Sequence, residues 1–107
     1  MDFKMDLSVV EAKAESAVSL LKAISNDKRL LILCALHRGE RNVGELEHIV
    51  ELSQSALSQH LARLRHDNLV VTRRDAQTVY YSLVNEDVKR VLWALYDIYG
   101  CPVEGVQ

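Results

Sequence analysis

Cysteine is scarce in this chain of 107 residues: Cys34 and Cys101 are the only two, and they lie far apart. That spacing excludes a disulfide framework and a Cys-x-x-Cys metal knuckle. With one proline, four glycines, no internal repeat and no low-complexity tract, there is no sign of a linker, so residues 1–107 read as one domain. Long uncharged apolar runs are missing as well. The opening stretch "MDFKMDLSVVEAKAES" is interrupted by charges throughout, which fits neither a signal peptide nor a membrane span. The expectation is a cytoplasmic protein with no membrane partner. Neither a nucleophile–base pairing nor a phosphate-binding loop is visible, so an enzyme is not expected.

An excess of positive charge is also lacking, since the net charge is −2. Its distribution is uneven. Residues 1–51 and 77–107 each sum to −2, whereas 52–76 carry Arg63, Arg65, Arg73 and Arg74 against Asp67 and Asp75, a local +2. A basic patch confined to one stretch is a footprint for an anionic partner. About half of the residues are apolar and a quarter charged, an ordinary globular profile.

The hydrophobic pattern predicts a helix over 7–24, with Val10, Ala14, Ala17, Val18 and Leu21 at three- and four-residue steps. Asn26 is positioned to cap a second helix, "DKRLLILCALHR", apolar nearly all round and therefore central, with Gly39 expected as its left-handed terminator. Asn42 and Glu45 have capping-box spacing for a short helix to about Val50, and Ser53 caps the next. The tight connection between these two predicts a helix-turn-helix over about 43–66. From 69 to 83 the period changes to β-branched and aromatic runs around the polar "RRDAQ", a β-hairpin. Asn85 opens a final helix over about 86–99, ended by Gly100 and Pro102. The order ααααββα is a mainly α winged helix-turn-helix with a β-hairpin wing.

The fourth helix, within "LSQSALSQHLARLRHDN", raises a question of its own. Leu57, Leu61 and Leu64 form an ordinary buried stripe, but the outer face carries Gln54, Ser55, Ser58 and Gln59. These are weaker on a solvated helix than Glu or Lys. Hydroxyls and amides do suit base edges and phosphate oxygens at close range. The four cluster in the first two turns, the part that enters the major groove in this architecture. Arg63 would reach a phosphate, and His60 either touches DNA or orients the helix half-buried. On the wing, Arg73, Arg74 and Gln77 flank the tip, where they contact DNA or protect an edge strand. Alternation sends the two arginines to opposite faces, with Arg73 the favoured contact. His37, His48 and His66 have no partners at ligand spacing and read as solvated or locally bonded.

Together, "NDKRLLILCAL", "VGEL", "LSQSALSQHLARLR", "LV" and "RRDAQTVYYSL" resemble the ArsR/SmtB winged-helix repressors over about residues 17–100. The resemblance implies a homodimer, paired through the first and last helices, that binds double-stranded operator DNA with an inverted repeat and releases it on sensing an inducer. It places Val10 and Ala17 at the dimer interface with Leu92, Trp93, Leu95, Tyr96 and Tyr99. Those last-helix residues cover more surface than one core stripe needs, although a helix wrapped by its own N-terminus is the alternative.

Metal sensors of the family carry Cys-x-Cys at the start of the third helix or His and carboxylates on the last. Here the matching stretch is "RNVGELE", and 85–100 contain no His, so neither metal nor cofactor is expected. One cysteine in the second helix and one just after the last is similar to the thiol-sensing BigR/SqrR group and HlyU. That branch implies a Cys34–Cys101 disulfide or polysulfide link, made by reactive sulfur species or oxidants, that loosens the dimer from DNA. Gly100, between Tyr99 and Cys101, departs from the branch's pattern. Three alternatives remain: a regulator that displaces a silencing protein without cysteine sensing, a soft-metal sensor using two thiolates, and a winged-helix protein-interaction module.

Overall fold

The computed structural model describes residues 6–100. Five helices and three short strands follow in the order α1 Leu7–Ile24, α2 Asp27–Arg38, β1 Arg41–Asn42, α3 Val43–Val50, α4 Gln54–His66, β2 Val70–Asp75, β3 Thr78–Leu83 and α5 Glu86–Tyr99. The helix starts are where side-chain oxygens can satisfy orphan amides. Asn26 accepts from the amides of Lys28 and Arg29, Ser53 from Ala56, and Asn85 from Val88. Asn42 and Glu45 close a reciprocal capping box on α3. Each such cap stabilises its helix by about 1 kcal/mol.

The five consecutive buried residues Ile32, Leu33, Cys34, Ala35 and Leu36 make α2 the central element, packed on all sides. Leu46 and Val50 of α3 and Leu57, Leu61 and Leu64 of α4 close onto it, with Leu69, Val70, Leu83, Val88 and Leu92 completing one core. Fully burying each of these leucines contributes about 2 kcal/mol, so the angle between α3 and α4 is set by packing. Arg29 ties α1 to α2 by donating to the carbonyls of Ala23 at 2.6 Å and Lys22 at 3.1 Å.

Three expectations are corrected. Gly39 ends α2 at a positive φ of 158° with ψ 168°, a conformation essentially restricted to glycine, but not the αL geometry expected. The left-handed residues are instead Glu51, Asn68 and Ala76, which close α3, follow α4 and begin the hairpin turn. The hairpin is also tighter than "RRDAQ" suggests. Arg73, Arg74 and Asp75 pair with Tyr80, Val79 and Thr78, which leaves Ala76 and Gln77 as a two-residue turn. Finally, β1 adds a third strand, in sheet order β1-β3-β2, with Arg41 opposite Tyr81 and Asn42 opposite Tyr80. Two residues are too short to show a strand period.

Candidate nucleic-acid interface and thiol site

Helix α4 divides cleanly into two faces. Leu57, Leu61 and Leu64 are buried, while Gln54, Ser55, Ser58, Gln59 and Ala62 are exposed and His60 is half-buried. Among the described residues, the side chains of Gln54, Ser55, Ser58 and Gln59 have no hydrogen-bond partner. Their donors and acceptors are therefore presented to an outside molecule. Ala62, absent from the sequence reading, continues this face with a methyl group that suits close approach or a thymine methyl. The capped N-terminus at Ser53 also points backbone amides outward, which favours anions.

The arginines are less free than their sequence positions suggest. Arg63 donates through Nε to Asp67 Oδ2 at 2.6 Å, and this hydrogen bond holds the Asp67 carboxyl below its usual range. A phosphate would have to share or displace that carboxylate. Arg73 donates to both carboxylate oxygens of Glu40 at 2.7 Å each and lies over the Tyr80 ring, 4.4 Å from its centroid. Arg74, on the other face of the hairpin, is exposed and makes no ion pair among the described residues. Gln77 sits in the exposed turn. Of the two wing arginines, Arg73 is thus engaged by Glu40, and Arg74 carries no ion pair among the described residues.

Comparison with known proteins settles the affiliation. The family model described as bacterial regulatory protein, arsR family, matches residues 26–72. The nodulation protein NolR of Rhizobium meliloti is 56% identical over 94 residues, 88% of this chain and 77% of that protein. The transcriptional activator HlyU of Vibrio cholerae is 53% identical over 95 residues, 89% of this chain and 88% of that protein. The crystal structure of the transcriptional repressor BigR from Xylella fastidiosa superposes with a TM-score of 0.81 at 37% identity, covering 89% of this chain and 97% of that one. The chain belongs to the arsR family. It is a DNA-binding transcriptional regulator with a winged helix-turn-helix fold. No helix among the described residues is long and apolar enough to cross a membrane.

In this arsR-family chain the second cluster of chemical interest lies between α2 and α5. Cys34 is only 5% exposed, yet it lines a cavity of about 230 Å³ together with Leu30, Leu31, Leu95, Tyr96, Tyr99 and Gly100. The walls are almost wholly apolar. Cys101 lies outside the described residues. One helical turn after Cys34, His37 Nδ1 stands 3.1 Å from Tyr96 Oη, and its ring stacks on Tyr96 and meets Trp93 edge-on. His37 is thus locally bonded.

Burial, with a smaller contribution from Lys89, pushes the His37 pKa below its ordinary value of 6.5. The folded state therefore holds fewer protons at this ring than the unfolded one. Its stabilising contribution is present above pH 6.5 and fades as the pH falls through the lowered folded value. Thermal unfolding is expected to show stability dropping from pH 7 to 5.5, with the drop flattened in His37→Asn. An equal drop in that variant would remove His37 as its source.

The dimer-interface candidates separate in the structure. Val10, Ala17, Trp93 and Tyr99 are exposed, and Leu95 and Tyr96 are half-buried. Leu92 is corrected: it is 0% exposed, a residue of the core, because the inward stripe of α5 runs through Val88 and Leu92. Ile98, passed over in the sequence, is 67% exposed. Along α1, Leu7, Val10, Val18 and Leu21 are exposed too, and only Ala23 and Ile24 are buried.

Proposed function

We propose that the protein is a homodimeric, dithiol-based regulator, in the main a repressor, that binds an inverted-repeat operator when reduced and leaves it once Cys34 and Cys101 are joined. The observation that carries the thiol half is the cavity between α2 and α5. Cys34 is on its wall, and so is Gly100, the residue to which Cys101 is directly bonded. A disulfide needs Cα atoms within about 7 Å, and that is the approach this reading requires of the residue that follows Gly100. Attack of the Cys34 thiolate on the sulfane sulfur of an organic persulfide gives Cys34–SSH and releases the thiol. Joining Cys101 then removes two electrons and two protons. A second persulfide accepts them and leaves as thiol and hydrogen sulfide.

The DNA half rests on Gln54, Ser55, Ser58 and Gln59, which present unpartnered polar groups beside an exposed wing. In this reading the dimer forms through α1 and α5, whose exposed apolar residues are too many for a free surface. Two-fold pairing then sets two α4 helices into major grooves about one helical turn apart. A second reading of the output is favoured by the similarity to HlyU, named an activator: the same DNA binding would displace a silencing protein and so switch genes on.

The test treats the full-length protein with an organic persulfide and reads the products by mass spectrometry and DNA binding. A Cys34–Cys101 cross-link carrying added sulfur, with operator affinity falling at least tenfold, is the expected result. Cys34→Ser should stay bound. Full release of Cys34→Ser under the same treatment would rule out the thiol switch.

A further inference from the structure

Glu40 lies in the link between α2 and β1, outside every residue assigned to DNA from the sequence, and yet it pairs with an arginine of the wing. Arg73 Nε donates to its Oε2 and Arg73 Nη2 to its Oε1, both at 2.7 Å. Ser82 Oγ donates to Oε2 at 3.3 Å, and the Tyr80 ring backs the guanidinium at 4.4 Å. Glu40 and the Tyr80 ring thus hold Arg73, and Ser82 helps hold Glu40 in place. The two parallel N–H···O bonds are the fork with which arginine grips a phosphate. Glu40 occupies that fork with a carboxylate. The hydrogen bonds from Arg73 hold the Glu40 carboxyl below its usual range. The pair remains within reach of solvent, with side chains 55% and 32% exposed, so opening it is cheap.

We propose that Glu40 competes with the DNA backbone for Arg73, so that the closed pair withholds one cation from the wing and Glu40 sets the salt dependence of DNA binding. This rests on the reading that the wing touches DNA. Arg74 is then the wing's working phosphate contact, and Arg73 is a reserve that Glu40 keeps neutralised. The charge of the wing is tuned by a residue two positions beyond the helix that carries Cys34.

The experiment measures binding of the full-length protein to a fluorescein-labelled random-sequence duplex across a salt series. Glu40→Gln should bind more tightly and steepen the slope of log K against log salt by about 0.9, which is about 3.5-fold more affinity lost between about 50 and 200 mM salt. Arg73→Gln should leave the slope as in the wild type. The double variant Glu40→Gln with Arg73→Gln should return to the wild-type slope. Asp75→Asn, which removes a wing charge without touching the fork, measures the effect of bare charge. The proposal is overturned if Glu40→Gln binds no better than wild type, gains no more than Asp75→Asn, or keeps its gain without Arg73. Arg74→Ala separates the two layers of the argument. If it flattens the slope while Glu40→Gln does nothing, the competition alone is wrong. If neither changes the slope, the wing contact fails and takes the competition with it.

Discussion

Replacing Ser58 and Gln59 together by alanine is expected to lower affinity for a selected operator duplex by about thirtyfold or more, at about 1–3 kcal/mol for each lost base contact. Affinity for a random-sequence duplex should stay nearly constant, because phosphate contacts carry no sequence information. Both side chains are exposed and unpartnered among the described residues, so their removal leaves the protomer intact. Alanine is also the better helix former, and unfolding would not explain a loss. Fluorescence anisotropy on the two duplexes makes the comparison. An equal loss on both, or no loss on either, would sink the assignment of α4 as the reading helix.

Introducing Val18→Glu and Ile98→Glu together should give a folded monomer with operator affinity lowered by about 100- to 10,000-fold. That range is the avidity gained when two linked modules bind at once. Val18 is 46% exposed and Ile98 67% exposed within one subunit, so a carboxylate at either position meets water unless a second subunit covers it. There it would be buried in an apolar contact as a charge without a partner. Sedimentation velocity reads the assembly, and circular dichroism the helix content. A variant that remains dimeric and bound would place the contact surface elsewhere.

Much of this was legible in order along the chain. Asn26, Asn42, Ser53 and Asn85 each marked a helix start because short polar side chains satisfy orphan amides locally, without help from the rest of the fold. The continuous apolar run in α2 marked it as central, since a helix hydrophobic on every side has no face left for water. The two faces of α4 were likewise visible as a period. What stayed hidden were contacts between distant residues. The Glu40–Arg73 fork joins positions 33 apart in sequence, and nothing local distinguishes Glu40 from any exposed acid. Strand β1 exists only because Tyr80 and Tyr81 of β3 offer it a ladder.

The last helix shows where the division falls. Its amphipathic surplus of Leu92, Trp93, Leu95, Tyr96 and Tyr99 was apparent from composition, but which of them faces outward was not. Leu92 went inward onto the core, and Ile98 was left outside. Side-chain pattern and capping chemistry by themselves determined the five helices, the hairpin, their order and the polar face of α4, because each depends on interactions within a turn or two of chain. Only the tertiary structure decided which arginine of the wing is free and that Cys34 opens onto a cavity beside Gly100. Both depend on where α2, the sheet and α5 meet, and packing of the whole core sets that meeting point.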